Sequence, residues 1–217
     1  AESTTPQRTR RGGSRGRRSL SSLLGLLSLE QVQKELKIQT ADIAKIKAIS
    51  DKLRAEMRAK YTELRKIEDT DKRHAKYAEL RAQYESSSRK QLHDVLSREQ
   101  MIRLYQIRSQ YRAVTETLAS KYVAGKLKLT DDQKAKIAKV GSDSRTKRYA
   151  IYRTLRNADA AKRAEAFKKL RELSAEADKQ ALALLTDAQR KTFEEMKGKK
   201  FELAAPTPSA KKKPAGK

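Results

Sequence analysis

Cysteine is missing altogether from this chain of 217 residues. Disulfide staples, thiolate nucleophiles and cysteine-held zinc are thereby excluded. Proline is confined to Pro6, Pro206, Pro208 and Pro214, so nothing from residue 7 to 205 forces a helix to break. Between Leu26 and Lys197 the only glycines are Gly125 and Gly141. Tryptophan is absent and aromatics make up 5%, which is thin for a globular core, although 37% hydrophobic residues suffice for helices that each bury one stripe. Histidine is limited to His74 and His93, and with three methionines no ligand set has metal spacing. There is no glycine-rich phosphate loop, and the acids are interspersed with bases as surface pairs. His74, beside Arg73 and Lys76, reads as a solvated surface residue rather than a general base. The expectation is a protein that is not an enzyme, with no metal, no cofactor and no small-molecule substrate. No apolar run reaches the roughly 20 residues of a membrane span. The nearest, Leu20 to Leu29, is short and broken by serine. Arg17 and Arg18 before it give it a leader-like look, but no small-residue cleavage site follows.

What is abundant is positive charge. Lys and Arg number 52 against 27 Asp and Glu, a net charge of +25. Such a chain repels its own copies and attracts acidic partners: nucleic acid, an anionic membrane, or unfolded acidic protein. Residues 1–19 carry Arg8, Arg10, Arg11, Arg15, Arg17 and Arg18 among three glycines, and residues 204–217 carry Lys211, Lys212, Lys213 and Lys217 among three prolines. Both ends are predicted to be disordered basic arms. Ten bases and one acid lie in them, so the body keeps 42 bases against 26 acids. The first residue is Ala1. Removal of an upstream leader leaves such a small-residue start, and so does trimming.

The body contains an internal repeat. Leu36-Lys37-Ile38 through Ala44-Lys45-Ile46 matches Leu127-Lys128-Leu129 through Ala135-Lys136-Ile137 at an offset of 91. Tyr61, Leu64 and Arg65 meet Tyr152, Leu155 and Arg156 at the same offset; Tyr77 and Leu80 meet Phe167 and Leu170 at 90; Leu96 and Gln100 meet Leu185 and Gln189 at 89. The predicted fold is all-α, with two tandem long helical-hairpin units over residues 20–122 and 123–203 in an extended or cradle-shaped arrangement. In the first unit Ile43, Ile46, Leu53, Met57 and Leu64 recur at helical spacing. Glu68-Asp69-Thr70-Asp71 breaks that pattern and can cap a second helix carrying Tyr77, Leu80 and Tyr84. A third helix opens at Leu96-Ser97, with Leu104, Ile107, Tyr111, Val114, Leu118 and Tyr122 along it. The second unit turns at Asn157-Ala158-Asp159.

One short pattern returns: Leu96-Ser97 with Gln100, Leu129-Thr130 with Gln133, and Leu185-Thr186 with Gln189. Leu27-Ser28-Leu29-Glu30-Gln31 fits as well. The pattern is that of a capping box: the hydroxyl accepts from the backbone N–H three residues on, the Gln reaches back to the cap's own N–H, and the preceding Leu staples onto the first turn. These residues resemble the LTxxQ motif of the Spy/CpxP-like periplasmic proteins, and the resemblance extends over about residues 28–200 as two copies. The first long helix departs from it, with Ile38-Gln39-Thr40 in place of Leu-Thr. The resemblance implies α-helical hairpins, a periplasmic or otherwise exported protein whose signal peptide has been removed, and ATP-independent chaperone or envelope-stress work on unfolded clients. Family members commonly form antiparallel dimers. Here a homodimer stays open, because one chain holding two units can form what two chains form elsewhere.

Lys47, Arg54, Arg58 and Arg65 fall at i, i+7, i+11 and i+18 and line one edge beside the apolar seam. Arg145 and Arg156 occupy the places of Arg54 and Arg65, while Ala138 and Tyr149 replace Lys47 and Arg58. The plain alternative is a solvated helix face with ion pairs one turn away. The sharper expectation is a surface that attracts unfolded or acidic proteins by charge and holds them by weak apolar contact. An alternative function is nucleic-acid or polyanion packing, or contact with a membrane surface, through the arms. The tyrosines sit mostly on apolar stripes and read as packing residues.

Overall fold

The computed structural model describes residues 20–155 and 158–203, without the side chains of Thr70, Asp71 and His74. The two basic arms, Arg156, Asn157 and the His74 side chain therefore lie outside the described residues. Those described form ten α-helices and no strand. In chain order these are α1 (Leu23–Leu27), α2 (Glu30–Glu35), α3 (Thr40–Leu64), α4 (Thr70–His93), α5 (Arg98–Tyr111), α6 (Val114–Leu118), α7 (Lys121–Lys126), α8 (Asp131–Thr154), α9 (Ala160–Ala183) and α10 (Asp187–Lys197). None of them is long and apolar enough to cross a membrane.

Four helices are long, and they pack as two pairs, α3 along α4 and α8 along α9. Helix α3 turns Ile46, Ser50, Leu53, Met57 and Leu64 inward at steps of three, four and seven residues. In the second pair α9 supplies Ala166, Leu170, Ala177 and Ala181, and α8 supplies Ile137 and Gly141. The turn between α3 and α4 is closed by Asp69, whose carboxylate accepts the Lys72 N–H at 2.9 Å. The other is closed by Asp159, which accepts the Lys162 N–H at 2.8 Å.

Short helices cover the bases of the pairs. The leucine run reads as core once the fold is seen: Leu23, Leu24, Leu26 and Leu27 are fully buried with Val32, Leu92, Leu104 and Ile107. Each such burial contributes roughly 1.5–3 kcal/mol. Leu118, Val123, Leu127, Ile137, Leu185 and Phe193 form the matching cluster of the second half. Among the described residues a third, smaller cluster lies at the far end of α3–α4, where Met57, Leu64 and Leu80 pack with Tyr61, Tyr77 and Tyr84.

One expectation is corrected. The stripe from Leu104 to Tyr122 does not lie on one helix. Arg112 is extended (φ −93, ψ 150) and ends α5, and Val114 opens α6 because its N–H is taken by the Asp178 carboxylate at 2.9 Å. Tyr122 points to solvent, 69% exposed. Residues 122 and 123 both lie in α7, and the helical run is interrupted at Arg112-Ala113.

The halves are joined by α10 lying on α5. Gly198 ends α10 at φ 63, ψ −163, a region essentially reserved for glycine, and a Cβ there would collide with the Gln106 amide. The following residues run back over α5. Arg103 and Gln110 donate to the Lys199 carbonyl, and the Tyr111 hydroxyl donates to the Phe201 carbonyl and accepts the Leu203 N–H. Phe201 and Leu203 thereby pack on the core of the first half.

Candidate functional site: the basic faces of the long helix pairs

The three motif hydroxyls occupy cap positions. Ser97, Thr130 and Thr186 accept the N–H of Gln100, Gln133 and Gln189 at 3.2, 3.1 and 3.2 Å, and each Gln accepts the N–H of its cap residue in return. The stapling leucines Leu96, Leu129 and Leu185 are buried. Each glutamine amide also leaves its own turn. Gln133 donates to the Leu184 carbonyl at 2.8 Å and Gln189 to the Leu127 carbonyl at 3.1 Å, and the two amides bond each other. The result is a reciprocal clasp that ties the start of α8 to the start of α10. In the first half only one arm exists: Gln100 donates to the Leu36 carbonyl at 2.9 Å. Gln39, the residue at the cap of α3, makes no side-chain cap bond. Thr130 and Thr186 are thus the N-caps of α8 and α10.

Ser28 departs from the expected cap. Its hydroxyl donates back to the Gly25 carbonyl at 2.6 Å, and Leu29 stands at the cap of α2 with no side-chain bond. The carbonyls at the ends of α2 and α7 are closed by left-handed residues instead. Lys37 (φ 50) and Lys128 (φ 49) let the N–H of Ile38 and of Leu129 return to Gln33 and Ala124, both at 3.0 Å.

Lys47, Arg54 and Arg58 on α3 and Arg65 at its C-cap are all exposed, each one residue after a buried member of the seam, and Arg145 is exposed on α8. Arg156 lies outside the described residues. The ion pairs on these helices use other residues: Lys45 with Asp42, Lys66 with Glu63, Lys139 with Asp143. Arg54 hydrogen-bonds the half-buried Tyr84, whose phenol is raised by burial against the opposing charge of Arg54. Arg58 and Arg65 make no ion pair among the described residues.

The pattern of residues does not reveal Glu116. It is the sole acid between Glu99 and Asp131, and that isolation is the signal available in the sequence. Its carboxylate meets Arg112 at 3.0 Å and Arg81 of α4 at 3.7 Å, with Arg145 of α8 adding its charge. Burial pushes the carboxyl upward, but the Arg112 hydrogen bond and the charges of Arg112, Arg81 and Arg145 outweigh it and hold the group below the ordinary carboxylate range. Arginines of both halves thus converge on one carboxylate. Beside it Thr115 of α6 lies 3.4 Å from where a Cβ of Gly141 would stand, an ordinary contact distance between α6 and α8. Burial raises the Asp178 carboxyl, against its bond from the Val114 N–H and the charges of Lys197 and Arg148.

Tyr149, Tyr152 and Phe167 are exposed rather than packed, at 55%, 47% and 42%. A shallow groove of about 450 Å³ lies along Ile151, Lys169, Glu172, Leu173 and Glu176. Among the described residues no group of three or more His, Asp or Glu is placed to hold a metal ion. No protein-family model, no curated protein and no solved structure matches the chain.

Proposed function

We propose that the chain is an ATP-independent chaperone or envelope-stress binding protein of the Spy/CpxP-like kind, exported to the periplasm, that captures unfolded acidic clients on its basic helical faces. Its two halves are copies of one helical-hairpin unit joined in tandem. The observation that carries this reading is the row of exposed bases beside the apolar seam. Lys47, Arg58 and Arg65 are solvent-exposed and make no ion pair among the described residues, while the neighbouring Lys45 and Lys66 pair with Asp42 and Glu63; Arg145 is exposed as well. Scattered surface pairs contribute only about 0–1 kcal/mol each, so stability gives little reason for bases without counter-ions. A field of one sign speeds encounter with acidic chains and demands no sequence from them.

The test is suppression of aggregation of an acidic client without nucleotide. Protein lacking both arms should protect at low salt and less well at high salt, because exposed charges are screened beyond about 8–10 Å. Reversing Arg54, Arg58, Arg65 and Arg145 to Glu should lower protection while helix content stays. Equal protection by the reversed variant overturns the reading. Polyanion packing through the arms then takes its place, favoured by their Arg-Gly and Lys-Pro composition.

A further inference from the structure

Beyond α6, the α8–α9 pair has two unlike sides. The side on which α6 sits carries Tyr149 and Tyr152 of α8 and Phe167 of α9, all exposed. Arg145 precedes the two tyrosines by four and seven residues, and Arg163 and Arg171 flank Phe167 at four residues on either side, so helical spacing puts rings and guanidinium groups in the same rows. From Arg163 to Ser174 that row of α9 holds no acid. The carboxylates lie elsewhere: Glu172 and Glu176 line the groove with Ile151 and Leu173, and Lys169 and Lys168 pair with Glu165 and Glu172. Arg145, Arg163 and Arg171 form no ion pair among the described residues.

The matching side of α3–α4 is shut. Tyr61 and Tyr77, at the places of Tyr152 and Phe167, stack with centroids 5.4 Å apart. Arg54 is drawn to Tyr84, and Arg81 to Glu116. Both halves carry bases there, but only in the second do the two equivalent rings, Tyr152 and Phe167, stand exposed.

We propose that this side of α8–α9 is a docking face for extended, unstructured polypeptide in which acidic residues alternate with aromatic or large apolar ones. The inference rests on the client-capture reading and narrows it to one half of the molecule. Charge complementarity selects the occupant: three guanidinium groups flank the rings, and their rows hold no acid from Arg145 to Tyr152 or from Arg163 to Ser174. The chain's own Glu116 carboxylate lies at the base of the face and feels the charge of Arg145. A bound segment continues that pattern outward, its carboxylates on Arg145, Arg163 and Arg171 and its apolar side chains on Tyr152 and Phe167. A second copy is the wrong occupant, because a net charge of +25 on each partner sets like charge against like.

The experiment uses the full chain and a fluorescent synthetic peptide of alternating Asp and Phe, with binding read by anisotropy. Tyr152→Ser with Phe167→Ser removes exposed rings and should weaken binding at least about tenfold. Arg54→Gln with Arg58→Gln should change it about twofold, and only at low salt. NMR of the unmutated chain gives a second readout that does not depend on any variant folding: added peptide should shift Tyr152 and Phe167 and leave Tyr61 and Tyr77 in place. Unchanged binding by the ring variant, or shifts confined to Tyr61 and Tyr77, overturns the face while client capture stands. A parent that neither binds the peptide nor protects an acidic client removes the capture reading itself. An oligothymidylate of equal charge that displaces the peptide and depends on the two rings makes the occupant nucleic acid and overturns the proposal.

Discussion

The far ends of the two long helix pairs start from similar residues and arrive at different surfaces. At the end of α3–α4, Met57, Leu64 and Leu80 close over stacked Tyr61 and Tyr77, with Tyr84 alongside. At the end of α8–α9 the same places hold Arg148, Leu155, Leu170, Tyr152, Phe167 and Ser174. Two exchanges account for the difference. Arg148 in place of Met57 puts a charge into the seam, and Ser174 in place of Tyr84 removes a ring. Without that filling the remaining rings have nothing to press them together, and they stand half in water. The pair still forms, because its base is held by α6 on Gly141 and by the clasp of Gln133 and Gln189. A helix pair secured at its base is free to spend its far end on contacts with other molecules.

This contrast makes unequal demands on equivalent residues. The largest gap is expected between Leu64→Ala and Leu155→Ala. The first empties a closed cluster and should cost about 2–3 kcal/mol; the second, at a half-exposed site, should cost under about 1 kcal/mol, both read from urea unfolding. Next come the glutamines. Gln189→Ala should cost about 2 kcal/mol by stranding the Thr186 N–H and the Leu127 carbonyl. In a double-mutant cycle with Gln133→Ala the two should couple by about 1 kcal/mol, whereas Gln100→Ala and Gln39→Ala should be additive. A smaller effect tests the missing cap: Gln39→Thr supplies an acceptor at the start of α3 and should raise stability by about 0.5–1 kcal/mol, while Thr130→Ala lowers it by about 1 kcal/mol. The smallest concerns Glu116. Its carboxyl titrates below its ordinary 4.5 in the folded chain, so its contribution is complete above that pH and is lost as pH falls through the lowered folded value. Glu116→Gln should flatten that part of the acid limb in pH-dependent melting, and an unchanged limb would show that the arginine cluster carries no stability.

Local chemistry was the most legible part of the sequence. Thr130, Thr186 and Ser97 were readable as helix starts because a capping box lies within four residues. The all-helical character followed from proline-free sequence and periodic leucines. The break at Arg112-Ala113 was not readable, because neither proline nor glycine marks it and its cause, Asp178, lies 64 residues away. Ser28 fitted the cap pattern letter for letter, but α1 ends there and its hydroxyl turns back to Gly25. Of the basic stripe, periodicity gave the exposed positions of Arg54, Arg58, Arg65 and Arg145. It could not give Glu116, whose arginine neighbours come from α4, α5's end and α8. The difference between stacked and open rings was equally out of reach, because Tyr61 and Tyr152 sit in the same repeat position and differ only in what surrounds them.

The return of residues 199–203 over α5 has a consequence for how the molecule is made. A ribosome delivers α1 through α5 first, and the fold then lacks the segment that engages Tyr111, Gln110 and Arg103. Phe201 and Leu203, which cover that core, follow about 90 residues later, whether the chain is released by a ribosome or by a membrane channel. The first half therefore completes its apolar edge only with a segment that belongs to the end of the second.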